Sequence, residues 1–220
     1  MAKSTAGTKI CIVKDGATTG VSVTATGVSK AAPAEVTTAS TGTLKDGDLI
    51  FIPAAGTGLS EIDGKYFVVS NLVADTSFDL LGSDTSKSTG TFAAGTAMKG
   101  HGDADMQCLC LSSIGFNRDQ PSTIATATFC DTTSSIPGSA TSAGSVDFGG
   151  YVDITDADYK ELLKLEASGA ETVFRVMLPN NGYIVFPAVI NQITVDIPLE
   201  GAVAYSGSAT LKSAARHLFA

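Results

Sequence analysis

Apolar and polar residues alternate in short runs along most of this chain, and Gly, Asp, Asn, Ser and Pro separate the runs. Lys9-Ile10-Cys11-Ile12-Val13-Lys14 comes first and ends at an Asp15-Gly16 turn signal. Val21-Ser22-Val23-Thr24-Ala25-Thr26 alternates residue by residue, as a strand buried on one face does. Leu49-Ile50-Phe51-Ile52, Tyr66-Phe67-Val68-Val69 and Ser77-Phe78-Asp79-Leu80-Leu81 are short strands bounded by turn residues, with Asp46-Gly47-Asp48 and Asp63-Gly64-Lys65 ahead of the first two. Met106 to Leu111 predicts a further strand leading into Ile114-Gly115-Phe116. Thr172–Leu178, a Pro179-Asn180-Asn181-Gly182 turn, a long strand Tyr183–Asp196 bent at Pro187, and Gly201–Ser213 close the chain.

One segment, 156–167, carries a helical period. Thr155 fits the N-cap, with Asp158 as its capping-box partner, and Ile154 and Tyr159 are spaced as a hydrophobic staple. Tyr159, Leu162 and Leu163 form the apolar stripe, and Gly169 stands near the position that ends a helix in the left-handed conformation. A helix this short is marginal alone, so it must pack on a sheet. Strands with one capped helix make the chain all-β, the helix plugging one face of a sandwich or barrel.

The texture changes within the chain. Residues 29–99 read as a small all-β insert domain, leaving 1–28 and 100–220 as the body. The insert has five lysines against eight acidic residues, so it is no more basic than the rest. A Ser-, Thr-, Gly- and Pro-rich loop spans Thr132 to Ser145, and a loop of that length commonly orders on binding.

Composition sharpens this picture. With 44% hydrophobic residues among 220, the chain can bury a core. Charged residues are only 16%, and surfaces of small and hydroxyl side chains are covered at little desolvation cost. A net charge of −8 without a basic run argues against tight nucleic-acid binding, which depends on Lys and Arg at phosphates. No run of eighteen apolar residues predicts a membrane helix, and the first nine residues lack a signal-peptide core. Cytoplasmic production follows, with Cys11, Cys108, Cys110 and Cys130 expected reduced and buried; Cys108 and Cys110, two apart in a strand, would share a face.

Candidate chemistry is sparse. His101-Gly102-Asp103-Ala104-Asp105 offers an imidazole and two carboxylates, but in a Gly-rich linker it reads as a solvated hinge between insert and body rather than a metal site. His217 near the last residue is a poor general base. Without a nucleophile elbow, zinc-binding helix or phosphate loop, the expectation is no enzyme, no cofactor and no metal.

Two resemblances give these elements a context. Gly47-Asp48, Leu59 to Val69 and Thr76-Ser77-Phe78-Asp79-Leu80 resemble a small β-barrel module of phage structural proteins, with Ile62 and Asp63 where that pattern has Leu and Asn. Ile114 to Asp119, Ile124 to Asp131 and Gly149 to Thr155, together with the closing strands, resemble the tail tube proteins of long, non-contractile-tailed bacteriophages. That resemblance implies a β-sandwich or barrel with one flanking helix, closed into hexameric rings that stack into a hollow tube. The chain would sit in the virion tail after assembly in the host cytoplasm. Its partners would be further copies of itself, the terminator, initiator or tip, and tape-measure proteins, and double-stranded DNA sliding through the lumen without tight binding. Asp196 and Glu200, at the end of the long strand, are the lumen-facing candidates, and the insert would project outward. The alternatives are another β-rich phage assembly or injection-system tube subunit, or a glycan-binding adhesin module.

Overall fold

The computed structural model describes residues 8–17, 20–53, 58–117, 123–125, 135–137, 144–152, 157–179 and 181–219, with backbone alone at 123–125 and 135–137. The strands are β1 (Lys9–Val13), β2 (Val21–Val28), β3 (Ala34–Thr38), β4 (Leu49–Ile52), β5 (Lys65–Val73), β6 (Ser77–Leu80), β7 (Thr96–His101), β8 (Met106–Leu109), β9 (Leu111–Asn117), β10 (Thr123–Ala125), β11 (Ser135–Pro137) and β12 (Ser145–Tyr151). The helix α1 (Ala157–Ser168) follows, and then β13 (Glu171–Met177), β14 (Tyr183–Asp196), β15 (Ala204–Leu211) and β16 (Arg216–Leu218). The architecture is all-β with one α-helix among the described residues: a closed barrel and a separate large sheet.

The barrel runs β2-β3-β6-β5-β4-β7 and closes on itself. Alternation sends Ile50, Ile52, Phe67, Val69, Phe78 and Met98 inward. Leu49 and Val68, the alternates on β4 and β5, point out of the barrel yet are also buried, because they meet the body. Burial on both faces is why these two strands read as nearly continuous apolar runs. The expected boundary at residue 29 shifts: β2 closes the barrel rather than joining the body, since Val21–Ala25 pair with Thr96–Gly100.

The large sheet has the order β8-β1-β13-β14-β15-β12-β9, with β16 beside the first half of β14. Its two edges, β8 and β9, are separated in sequence by Cys110 alone. Two residue steps span about 7 Å, so the sheet must curl until its edges nearly meet. The expected single strand over 106–111 is therefore two strands, broken at Cys110 because the halves serve opposite edges. Inside the curl Phe174 stacks on Phe186 at 4.9 Å, and Phe116 meets Phe186 edge-on at 5.1 Å. The helix closes this core with Leu162 and Leu165 buried and Tyr159 packed against them. Leu163, expected in the stripe, is exposed instead, because the buried positions follow a three-residue step to Leu165.

Other expectations shift for local reasons. Pro187 pairs in register with Val173, and the irregularity in β14 falls between Ile190 and Gln192. Arg216–Leu218, around the His217 dismissed as a general base, form β16, whose Leu218 is buried in the barrel–body junction. Within the expected loop Thr132–Ser145, Ser135–Pro137 pairs antiparallel with Thr123–Ala125, a pair that joins no other sheet among the described residues. Gly169 does end the helix, at φ 62° with its N–H donating to Leu165 O at 3.0 Å. Thr155 and Asp156 lie outside the described residues.

Candidate assembly surfaces

The junction between barrel and body is a third core. Leu49, Val68 and Leu81 of the barrel side pack with Cys11, Val13, Val173, Val185 and Leu218 of the body. A fully buried Leu or Val contributes about 1.5–3 kcal/mol, so this contact fixes the barrel on the sheet. Two arginines seal its rim. Arg175, 3% exposed on β13, donates to Gly47 O and lies 3.6 Å from the Asp103 carboxylate. Arg216 donates to Tyr66 O at 2.9 Å and sits 4.0 Å above the Phe67 ring. Burial pushes the Asp48 carboxyl up from its ordinary value, against the Lys45 N–H that donates to it at 2.9 Å.

The segment 101–105 is not the solvated hinge expected. His101 and Asp105 are buried, with Nδ1 3.9 Å from the carboxylate, while Asp103 turns away to Arg175. Burial, and then the Lys99 charge, push His101 below its usual value, so the imidazole is held neutral. Among the described residues no three metal-ligating side chains come together.

The expectation of reduced, buried cysteines is overturned by a disulfide between Cys11 and Cys108. The two are directly opposite across the β1–β8 pair, where side chains on one face approach closely. Cys110, past the strand break, stays outside this bridge and is exposed, and Cys130 lies outside the described residues. The bridge clips a four-residue edge strand to the sheet across a separation of 97 residues.

Three helix carboxylates hold α1 in place. Asp158 accepts from Cys110 N at 3.0 Å and Gln107 Nε2 at 2.9 Å, so it serves the β8–β9 link with both oxygens. Glu161 accepts from Asp15 N at 2.6 Å, and Glu166 from Ile193 N at 2.8 Å beside the β14 irregularity. Each accepts from a backbone N–H outside its own helix, tying α1 to the body.

The barrel covers only part of the sheet's outer face. Across β9, β12, β15 and the second half of β14 no described residue covers it. Paired rows run Gly115–Asp147–Ser208–Gln192, then Ser113–Gly149–Ser206–Thr194, then Tyr151–Ala204–Asp196. The first two rows line a groove of about 560 Å³. Asp147 accepts from Asn117 Nδ2 at 2.5 Å. Two carboxylates, hydroxyls, the Gln192 amide, glycines and Ala204 populate these rows, without a Lys or Arg.

At the rim of this face the β14–β15 turn carries exposed apolar side chains. Ile197 is 75% and Leu199 fully exposed, beside Tyr151 at 66%. Asp196 ends β14 on the uncovered face, and Glu200 follows in the exposed turn. No protein-family model matches the chain, and no curated protein is similar enough to it to match. No described helix is long and apolar enough to cross a membrane.

Proposed function

We propose that this chain is a self-assembling tube subunit of the tail tube type, forming stacked hexameric rings through which double-stranded DNA passes. The observation that carries the reading is the uncovered sheet face: four strands wide, small and polar, with Asp147 and Asp196 and no cation in its rows. A wall of that kind repels phosphates weakly and offers no Lys or Arg to hold them, so a polyanion slides past.

Two further features support assembly. The β10–β11 pair has three residues on each side and, among the described residues, joins no other sheet. Isolated two-stranded hairpins are marginal in water, so a neighbouring copy would provide its support. Among the described residues the edges β8 and β9 each lack a partner on one side, and lateral contact between copies would cover them. On this reading the chain has no catalytic role, resides in the virion tail, and meets terminator, initiator and tape-measure proteins at the tube ends and in the lumen. The docked barrel would lie on the outside of the tube.

The test is direct. Purified protein, concentrated and viewed by negative-stain electron microscopy, should show rings or tubes with an open lumen. Sedimentation showing monomer at every concentration would overturn the reading.

A further inference from the structure

We infer that the apolar β14–β15 tip of one copy docks on the outward ridge of α1 of a second copy, an inference that rests on the self-assembly reading. The tip presents Ile197 and Leu199 with Asp196 and Glu200 on either side. Side chains this exposed and this apolar at a turn gain nothing from water, and large exposed apolar groups in a cluster mark contact surfaces.

The chain offers a surface of matching chemistry. On α1 the residues Lys160, Leu163, Lys164 and Ala167 follow steps of three and four, so they share one face, and all four are exposed. Leu163 is 38% exposed although it lies in a helix whose other leucines are fully buried. The ridge thus sets Leu163 and Ala167 alongside Lys160 and Lys164, the latter 3.3 Å from Glu161 of its own helix, and the tip is an apolar knob between two anions. In a protein of net charge −8, like copies repel in general, and contact is favoured where the scarce cations face anions.

Tip and ridge are different patches of the same chain, so the contact is head-to-tail. Such a contact closes into a ring when the rotation per copy fits and otherwise runs on as a filament. The helix is held to the sheet by the carboxylates of Asp158, Glu161 and Glu166, which presents the ridge rigidly. Rigid presentation lowers the ordering cost of association.

The experiment compares self-association of the wild-type chain with Leu199→Asp, Glu200→Lys, Lys160→Glu and the combined Glu200→Lys/Lys160→Glu variant, by sedimentation velocity over a concentration series. Circular dichroism and thermal unfolding of each variant confirm folding, and all three positions are exposed. Leu199→Asp should raise the concentration for half-assembly by about tenfold or more, as removal of a central apolar anchor does. Each single charge reversal should weaken assembly by about two- to fivefold, more so at low salt, and the combined reversal should restore it. Wild-type assembly matched by an equally competent Leu199→Asp chain would overturn the tip contact and leave the tube reading standing. Reversals that add rather than cancel would overturn the pairing of Glu200 with Lys160. A wild-type chain that never associates would overturn both.

Discussion

The barrel and the large sheet solve the same problem in opposite ways. Six strands in the barrel pair on both sides, so it has no edge, and its outward apolar residues, Leu49 and Val68, are spent against the body. Among the described residues, the body keeps two edge strands, a polar sheet face left open, a separate two-stranded hairpin and an exposed apolar turn. A domain that satisfies its own backbone and covers its own apolar surface has little left for partners. Surfaces left open mark where association happens. On the proposed assembly reading the barrel, which carries a complete fold, would be the inert part, and the body the part that meets neighbours.

The comparison breaks first in the body core. Phe174→Ala, in the body core, should destabilise by about 3–5 kcal/mol. Because Leu49, Val68 and Val173 share one core, calorimetry should still show a single transition for barrel and body. Two separated transitions would mean that the barrel is only tethered. Next in size is the clip on β8: Cys11→Ser should cost about 2–4 kcal/mol, since the bridge closes a loop of 97 residues. Thiol titration of the unfolded chain, with and without reductant, checks that the bridge is present. An unchanged midpoint would show that strand pairing alone holds the edge.

The smallest effect is a pH dependence at the barrel's last residue. His101 is depressed by burial and by Lys99, so the unfolded chain binds the proton more readily than the folded one. Stability should therefore be complete above the unfolded value of about 6.5 and fall as pH drops through it, levelling below the depressed folded value. His101→Gln should flatten that slope in urea melts at pH 7 and pH 5.5. A slope unchanged by the substitution would assign it to other groups.

Much of the strand content is readable from local pattern: Lys9–Val13, Leu49–Ile52, Lys65–Val73, Tyr183–Asp196 and the helix with its Gly169 end stand within a few residues of their expected places. Ala34–Thr38 and Arg216–Leu218 escaped notice because their alternation is short and rich in polar or charged residues. Both are held by partners distant in sequence, Ala34 to Leu80 and Leu218 to Tyr183. Of the candidate surface, Asp196 was visible as a carboxylate ending a long strand. Asp147 was not, since nothing local says that its row joins those of Ser208 and Gln192. Leu163 was expected to be buried and is exposed, because a helix this narrow in contact buries only the positions its sheet can reach.

Residue order was enough to establish a chain of short alternating strands, one helix, an acidic and weakly charged surface, and a break in texture where the barrel lies. Those properties live within a few residues of one another, where side-chain period and turn chemistry act directly. Pairing across long separations came from the folded chain alone: Cys11 opposite Cys108, β2 in the barrel, β8 and β9 at opposite edges of one curled sheet. So did the burial of Arg175, His101 and Asp48, residues that their type would place in water. A strand's period says which side chains share a face. What covers that face depends on which distant strand arrives there, and that is settled by the closure of the whole core.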